Sequence, residues 1–158
     1  MNYSFYYFCG MYELNFPRYD FRIKNRENKL YLFDLIRKKF VRLSPEEWVR
    51  QHAVQYLHQE LDYPLSLINV EKEIVLNKTR KRYDIVVFKP DGKIHIIVEC
   101  KAPQINLTQQ SFDQIARYNL KLQAGYLMLT NGFEHYYCQM DYKDKAYRFL
   151  PEIPKYKS

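Results

Sequence analysis

At 158 residues and 47% hydrophobic content, the chain is long enough for one domain with a real core, not comfortably for two, and too apolar for general disorder. Its 25 Lys and Arg against 18 Asp and Glu leave a formal charge of +7, which favours an anionic partner without by itself separating a nuclease from a ribosomal or chaperone-like surface. Three widely spaced cysteines (Cys9, Cys100, Cys138) and four scattered histidines (His52, His58, His95, His135) argue against a disulfide framework or a zinc site and point to a reducing cytoplasm.

Residues 1–10 are apolar and aromatic but lack a basic leader region and a small-residue cleavage site. They are too short to span a bilayer, so they read as a loose or strand-like extension, with Met11 as an alternative start. Two short strands, 21–24 and 30–34, flank a polar turn. A helix over 45–61 follows: Ser44 is its N-cap, Pro45 suits the first turn, and Glu47 completes a capping box. Trp48, Val49, His52, Ala53, Tyr56 and Leu57 form its apolar side. Three strands come next, 70–76, 82–88 and 93–100, the last two joined by a tight Asp91-Gly92 turn. Thr108 opens a second helix to residue 123 that buries Phe112, Ile115, Ala116 and Leu122. Strands at 125–129, 133–140 and 146–150 and a flexible tail, 151–158, complete the chain. The order predicts a single α/β (α+β) domain over 41–150, with residues 1–40 as an extension whose short strands pack on the core.

Apolar strands seldom carry acids idly. Asp84 sits where its strand turns apolar, and Glu99 and Lys101 end the next one. Side chains alternate, so Glu99 and Lys101 share a face and Cys100 points to the other. With Asp91 and Gly92 as the turn, Asp84 pairs approximately with Glu99. Two carboxylates so close repel unless a cation lies between them. A hard ion such as Mg²⁺ (or Mn²⁺) takes oxygen ligands: Asp84, Glu99 and the backbone carbonyl of Cys100. Such an ion can activate water and stabilise charge on phosphorus, with Lys101 orienting or deprotonating that water. The plainer alternative is an exposed Glu/Lys pair beside an unrelated Asp.

These residues resemble the signature of the PD-(D/E)xK nuclease superfamily. The wider text resembles the N-terminal nuclease domain of type I restriction enzyme R subunits, through residues 45–51, 81–88, 98–103 and 112–119 in the family's order. The resemblance implies a mixed central sheet flanked by helices, a restriction-endonuclease-like core. It implies Mg²⁺ held by Asp84 and Glu99, with Lys101 as base or electrostatic helper. It also implies a Gln-x-x-x-Tyr element, matched by Gln114 and Tyr118, that contacts nucleic acid or braces the site. Helix geometry alone reads Tyr118 as a core-edge aromatic and Gln114 as its solvated neighbour. Tyr83 stands where the family pattern has Pro. No phosphate-binding loop occurs in the 158 residues, so an R-subunit ATPase motor is not expected within them.

Glu46 is a further candidate ligand, able also to pair with Arg50 one turn on, whereas the capping box accounts for Glu47. Lys78, Arg80, Lys81 and Arg82 form a basic run leading into the Asp84 strand, read as phosphate contacts that Arg117 and Lys121 extend. Of the 16 tyrosines only Tyr118 is assigned a functional role. The expectation is a cytoplasmic, metal-dependent nuclease acting on DNA rather than RNA, without a membrane partner, working as a homodimer or with a targeting protein. The alternative is a non-catalytic nucleic-acid-binding module that keeps the fold.

Overall fold

Residues 11–158 are described by the structure, a computed structural model; residues 1–10, Cys9 among them, lie outside the described residues. An antiparallel meander comes first: β1 (Ile23–Arg26), β2 (Lys29–Asp34) and β3 (Lys39–Arg42). Two strands were expected here. The third follows a turn without Gly or Pro to announce it, built instead by buried Asp34. The Asp34 Oδ1 accepts the backbone N–H groups of Ile36 at 2.7 Å and Arg37 at 2.8 Å, as Asx turns do.

Helix α1 (Pro45–Gln55) starts as its sequence dictates. Ser44 Oγ accepts the Glu47 N–H at 3.1 Å, a cap worth about 1 kcal/mol. Two expectations need correction. The Glu47 carboxylate does not return to the cap but bonds Arg37 and Arg50. Nor is there one apolar stripe, since every residue from Glu47 to Gln55 is buried. The reason is a second cover: the N-terminal segment packs Phe21 on Trp48, ring centres 5.2 Å apart, and the core continues through Leu32 and Leu43. A wider turn, Tyr56–Glu60, ends the helical stretch, with Leu61 N–H reaching back to Tyr56 O at 3.2 Å.

The main sheet has the order β4 (Ile68–Leu76), β5 (Thr79–Phe88), β6 (Ile94–Cys100), β7 (Tyr126–Thr130), β8 (His135–Asp141), β9 (Ala146–Leu150). Only β6 and β7 run parallel, and α2 (Gln109–Leu122) makes the crossover between them. Thr108 caps α2 by accepting the Ser111 N–H at 3.1 Å. At its other end, Asn119 Oδ1 accepts the Ala124 N–H at 3.1 Å.

The two helices cover opposite faces. Ile85, Val87, Ile96 and Val98 join a core with Val49 and Ala53 of α1. Val86, Ile97, Leu127 and Leu129 join one with Phe112, Ile115 and Ala116 of α2. This is the mixed, helix-flanked sheet expected. The last residues, read as a flexible tail, lie against the domain: Ile153 is 1% exposed, and Tyr156 N–H donates to Leu61 O at 2.8 Å. Among the described residues no helix is long and apolar enough to cross a membrane.

Candidate active site

The Asp91-Gly92 turn sets the register of β5 against β6. Gly92 takes φ 87°, and Asp91 Oδ1 accepts the Lys93 N–H at 2.9 Å. Ile85 then faces Val98 and Val86 faces Ile97, so the next step brings Asp84 opposite Glu99. Strict alternation breaks at this point. Tyr83 and Val86 pack on the α2 side, while Ile85 and Val87 pack on the α1 side. The neighbouring strand is distorted at the same level. Val70 pairs with Ile85 and Lys72 with Tyr83, and between them Glu71 takes φ 53°.

The break leaves Asp84 facing α1. Its Oδ1 accepts Arg50 Nη2 at 2.7 Å, and its Oδ2 accepts the Cys100 backbone N–H at 2.9 Å. The Cys100 backbone thus meets Asp84 through its N–H. The Cys100 side chain is buried on the α1 side, where burial pushes its thiol well up. Cys138 is likewise buried and free.

Electrostatics tie the group together. Burial first, then the charge of Asp84, pushes Glu99 up to about 8; Lys81 and Lys101 oppose the shift, and a hydrogen bond to Asp84 reinforces it. Glu46 is also raised, by burial and then by Asp84, with Arg50 and Lys101 pulling it down. Lys101 is therefore close to both acids, while its backbone N–H is fixed to Thr130 O at 2.8 Å. Burial alone would lower Arg50, but its hydrogen bond to Asp84 and the charges of Glu47 and Asp84 raise it.

Arg50 is the residue whose role the sequence reading missed. Its predicted partner Glu46 is there, Oε1 at 3.2 Å, but so are Glu47, Glu71 at 2.8 Å and Asp84. Nothing in its spacing marks it as buried, yet Arg50 is 7% exposed and lies at the centre of four acids. The signal available was its place one turn after Glu46 on a helix buried all round. A chain of alternating charge runs outward from it: Glu47 bonds Arg37, and Arg37 Nε lies 2.5 Å from Asp34 Oδ2, which also accepts Gln51 Nε2 at 2.9 Å.

The other predicted residues divide. Lys81 Nζ lies 3.6 Å from the ring centre of Tyr118, joining β5 to α2 on an open face where Tyr118 is 43% exposed. Gln114, Arg117 and Lys121 are exposed on the same helix. Arg82 lies 3.7 Å from Glu71 and Arg80 3.3 Å from Glu73, both largely solvated. Lys78 sits in the β4–β5 turn with φ 65°.

The Asp84 and Glu99 carboxylates, the latter raised by burial and by the charge of Asp84, are oxygen donors of the chemical kind a hard divalent cation takes.

Comparison with known proteins agrees with this architecture. A solved structure described as a fragment of an HsdR subunit of a type I restriction enzyme from Vibrio vulnificus YJ016 superposes with a TM-score of 0.50 at 19% identity. The match covers 72% of this chain and 24% of that one, so the chain spans about a quarter of its length. At that identity the likeness concerns the fold. No curated protein matches. The sequence match is broader in kind: residues 45–154, from the start of α1 through β9, fit the family described as type I restriction enzyme R protein N terminus. The chain belongs to that family.

Proposed function

We propose that this domain is a metal-dependent endonuclease-like hydrolase of DNA phosphodiesters. The carrying observation is the meeting of Asp84 and Glu99 across β5 and β6, with Lys101 beside them and the Lys81–Tyr118 pair on the adjoining open face. Asp84 and Glu99 would hold Mg²⁺ or Mn²⁺. Bound there, the ion would supply Lewis acidity to the scissile phosphate and to an attacking water.

The chain's own residues do the rest. Arg50 and the Cys100 N–H fix the Asp84 carboxylate by its two oxygens. Glu99 would hold the ion as a carboxylate, its proton having passed to solvent. Lys101 places an ammonium on the face of Glu99, where it orients the water or offsets charge developing on the phosphate. Lys81, Arg82, Arg117 and Lys121 attract the DNA backbone, and Tyr118 and Gln114 contact the strand. As a member of an R-protein family the domain would work with further subunits for targeting.

The test incubates plasmid, linear and single-stranded DNA with the protein and Mg²⁺ or Mn²⁺. Metal-dependent cleavage absent from Asp84→Ala and Lys101→Ala supports the proposal, whereas equal cleavage by all three proteins points to contamination. A second reading, a non-catalytic DNA-binding module, draws on Asp84 being already paired with Arg50. It requires salt-sensitive binding indifferent to metal and to Lys101→Ala, without cleavage.

A further inference from the structure

The convergence on Arg50 has a geometry of its own. One atom, Nη2, is approached by Asp84 Oδ1 at 2.7 Å, Glu71 Oε1 at 2.8 Å and Glu46 Oε1 at 3.2 Å. Three carboxylate oxygens from three elements (β5, β4 and α1) thus surround one terminal nitrogen of a charged guanidinium, as ligands surround a cation. The separations suit a guanidinium; a metal would need them at about 2.0–2.6 Å. Among the described residues no three acid, His or Cys side chains are spaced to hold a metal.

Arg50 cannot easily vacate the position. Its Nη1 is gripped by Glu47, which is itself gripped by Arg37 from the meander. The side chain is 9% exposed and its Nε has no hydrogen-bond partner, so its contacts are all made by the terminal nitrogens.

We propose that Arg50 is the built-in second cation of this site: a positioning residue standing where a two-ion centre would carry a second metal. It shares Asp84 with the single divalent ion held by Asp84 and Glu99. This rests on the metal-dependent reading above for the first ion only. It assigns Glu71, which no sequence motif marks, to the arrangement, and it explains why β4 is distorted at that residue: the φ of 53° turns Glu71 toward Arg50.

The test counts ions rather than cuts DNA. Mn²⁺ and Ca²⁺ titrations are run on wild type, Arg50→Met, and Arg50→Met with Glu71→Gln. The expected result is one ion per wild-type chain, a second gained in Arg50→Met, and that second alone lost on adding Glu71→Gln. Thermal melts give an independent readout: Ca²⁺ should raise the Tm of Arg50→Met more than that of wild type. Should Arg50→Met fail to fold alone, its recovery of helical signal on refolding with Ca²⁺ is required.

Two ions in wild type, no gain in a folded Arg50→Met, or no rescue by Ca²⁺ overturns the proposal. If wild type binds no ion while Arg50→Met acquires one that Glu71→Gln removes, the assignment of Arg50 stands and the Asp84–Glu99 metal reading fails.

Discussion

The two faces of the main sheet handle charge in opposite ways. On the α1 side, Arg50 and its acids are buried and paired, and the chain of contacts runs on through Glu47 and Arg37 to Asp34. On the α2 side, Arg117, Lys121 and Tyr118 are exposed, and the half-buried Lys81 lays its ammonium over the Tyr118 ring. Buried pairs are hard to screen and hold groups in place; exposed charges are cheap to keep and free to meet a polyanion. Asp84 and Glu99 lie where the two regimes meet. Position is set from one side, and substrate would arrive from the other.

Substitutions can break that contrast. The largest effect belongs to the site's own acid and base: Asp84→Asn and Lys101→Ala should each lower cleavage by about 10²–10⁴-fold with the fold retained, measured as single-turnover rates beside circular dichroism. On the buried side, Arg50→Met leaves several carboxylates without their counter-ion. It should cost about 3–5 kcal/mol in urea denaturation of the metal-free protein, the range for breaking one side of a buried pair. On the open side the loss should be in binding only. Tyr118→Ala should weaken single-stranded DNA binding by about 1–3 kcal/mol, and Lys81→Ala should reduce the salt slope by about 1, each changing stability by no more than about 0.5 kcal/mol. A stability loss at Lys81 as large as at Arg50 would erase the distinction between the faces.

A further effect is a matter of pH. Glu99 is raised in the folded metal-free protein relative to its ordinary value of 4.5. Its contribution to stability is therefore complete below the unfolded value and declines as pH rises through about 8. Glu99→Gln should flatten the stability profile between pH 4.5 and 8 without metal. A profile of unchanged slope would show that Glu99 is not held protonated there.

Much of this was legible in the residues, and the limits have physical causes. The Ser44 and Thr108 caps, the Asp91-Gly92 turn and the apolar runs of β5 to β7 are local signals that the folded chain obeys, and they suffice to set Ile85 opposite Val98, one residue short of Asp84 and Glu99. What local pattern cannot convey is a partner from afar. Glu47 looks like a capping-box residue until Arg37, ten positions earlier, claims its carboxylate. Arg50 looks like a surface neighbour of Glu46 until the meander and the sheet close over both sides of α1. β3 was missed because its turn depends on a buried Asp34 side chain rather than on Gly or Pro. Glu71 carried no signal, because a left-handed backbone at a glutamate in a strand has no sequence mark.

The central claim is that Asp84 and Glu99 share one divalent ion. The most direct measurement is a calorimetric Mn²⁺ titration at pH 7, repeated in buffers of different ionisation enthalpy. The account predicts one site per chain, uptake accompanied by release of close to one proton from Glu99, and loss of the site in both Asp84→Asn and Glu99→Gln. Binding that persists in both variants, or that releases no proton, contradicts it.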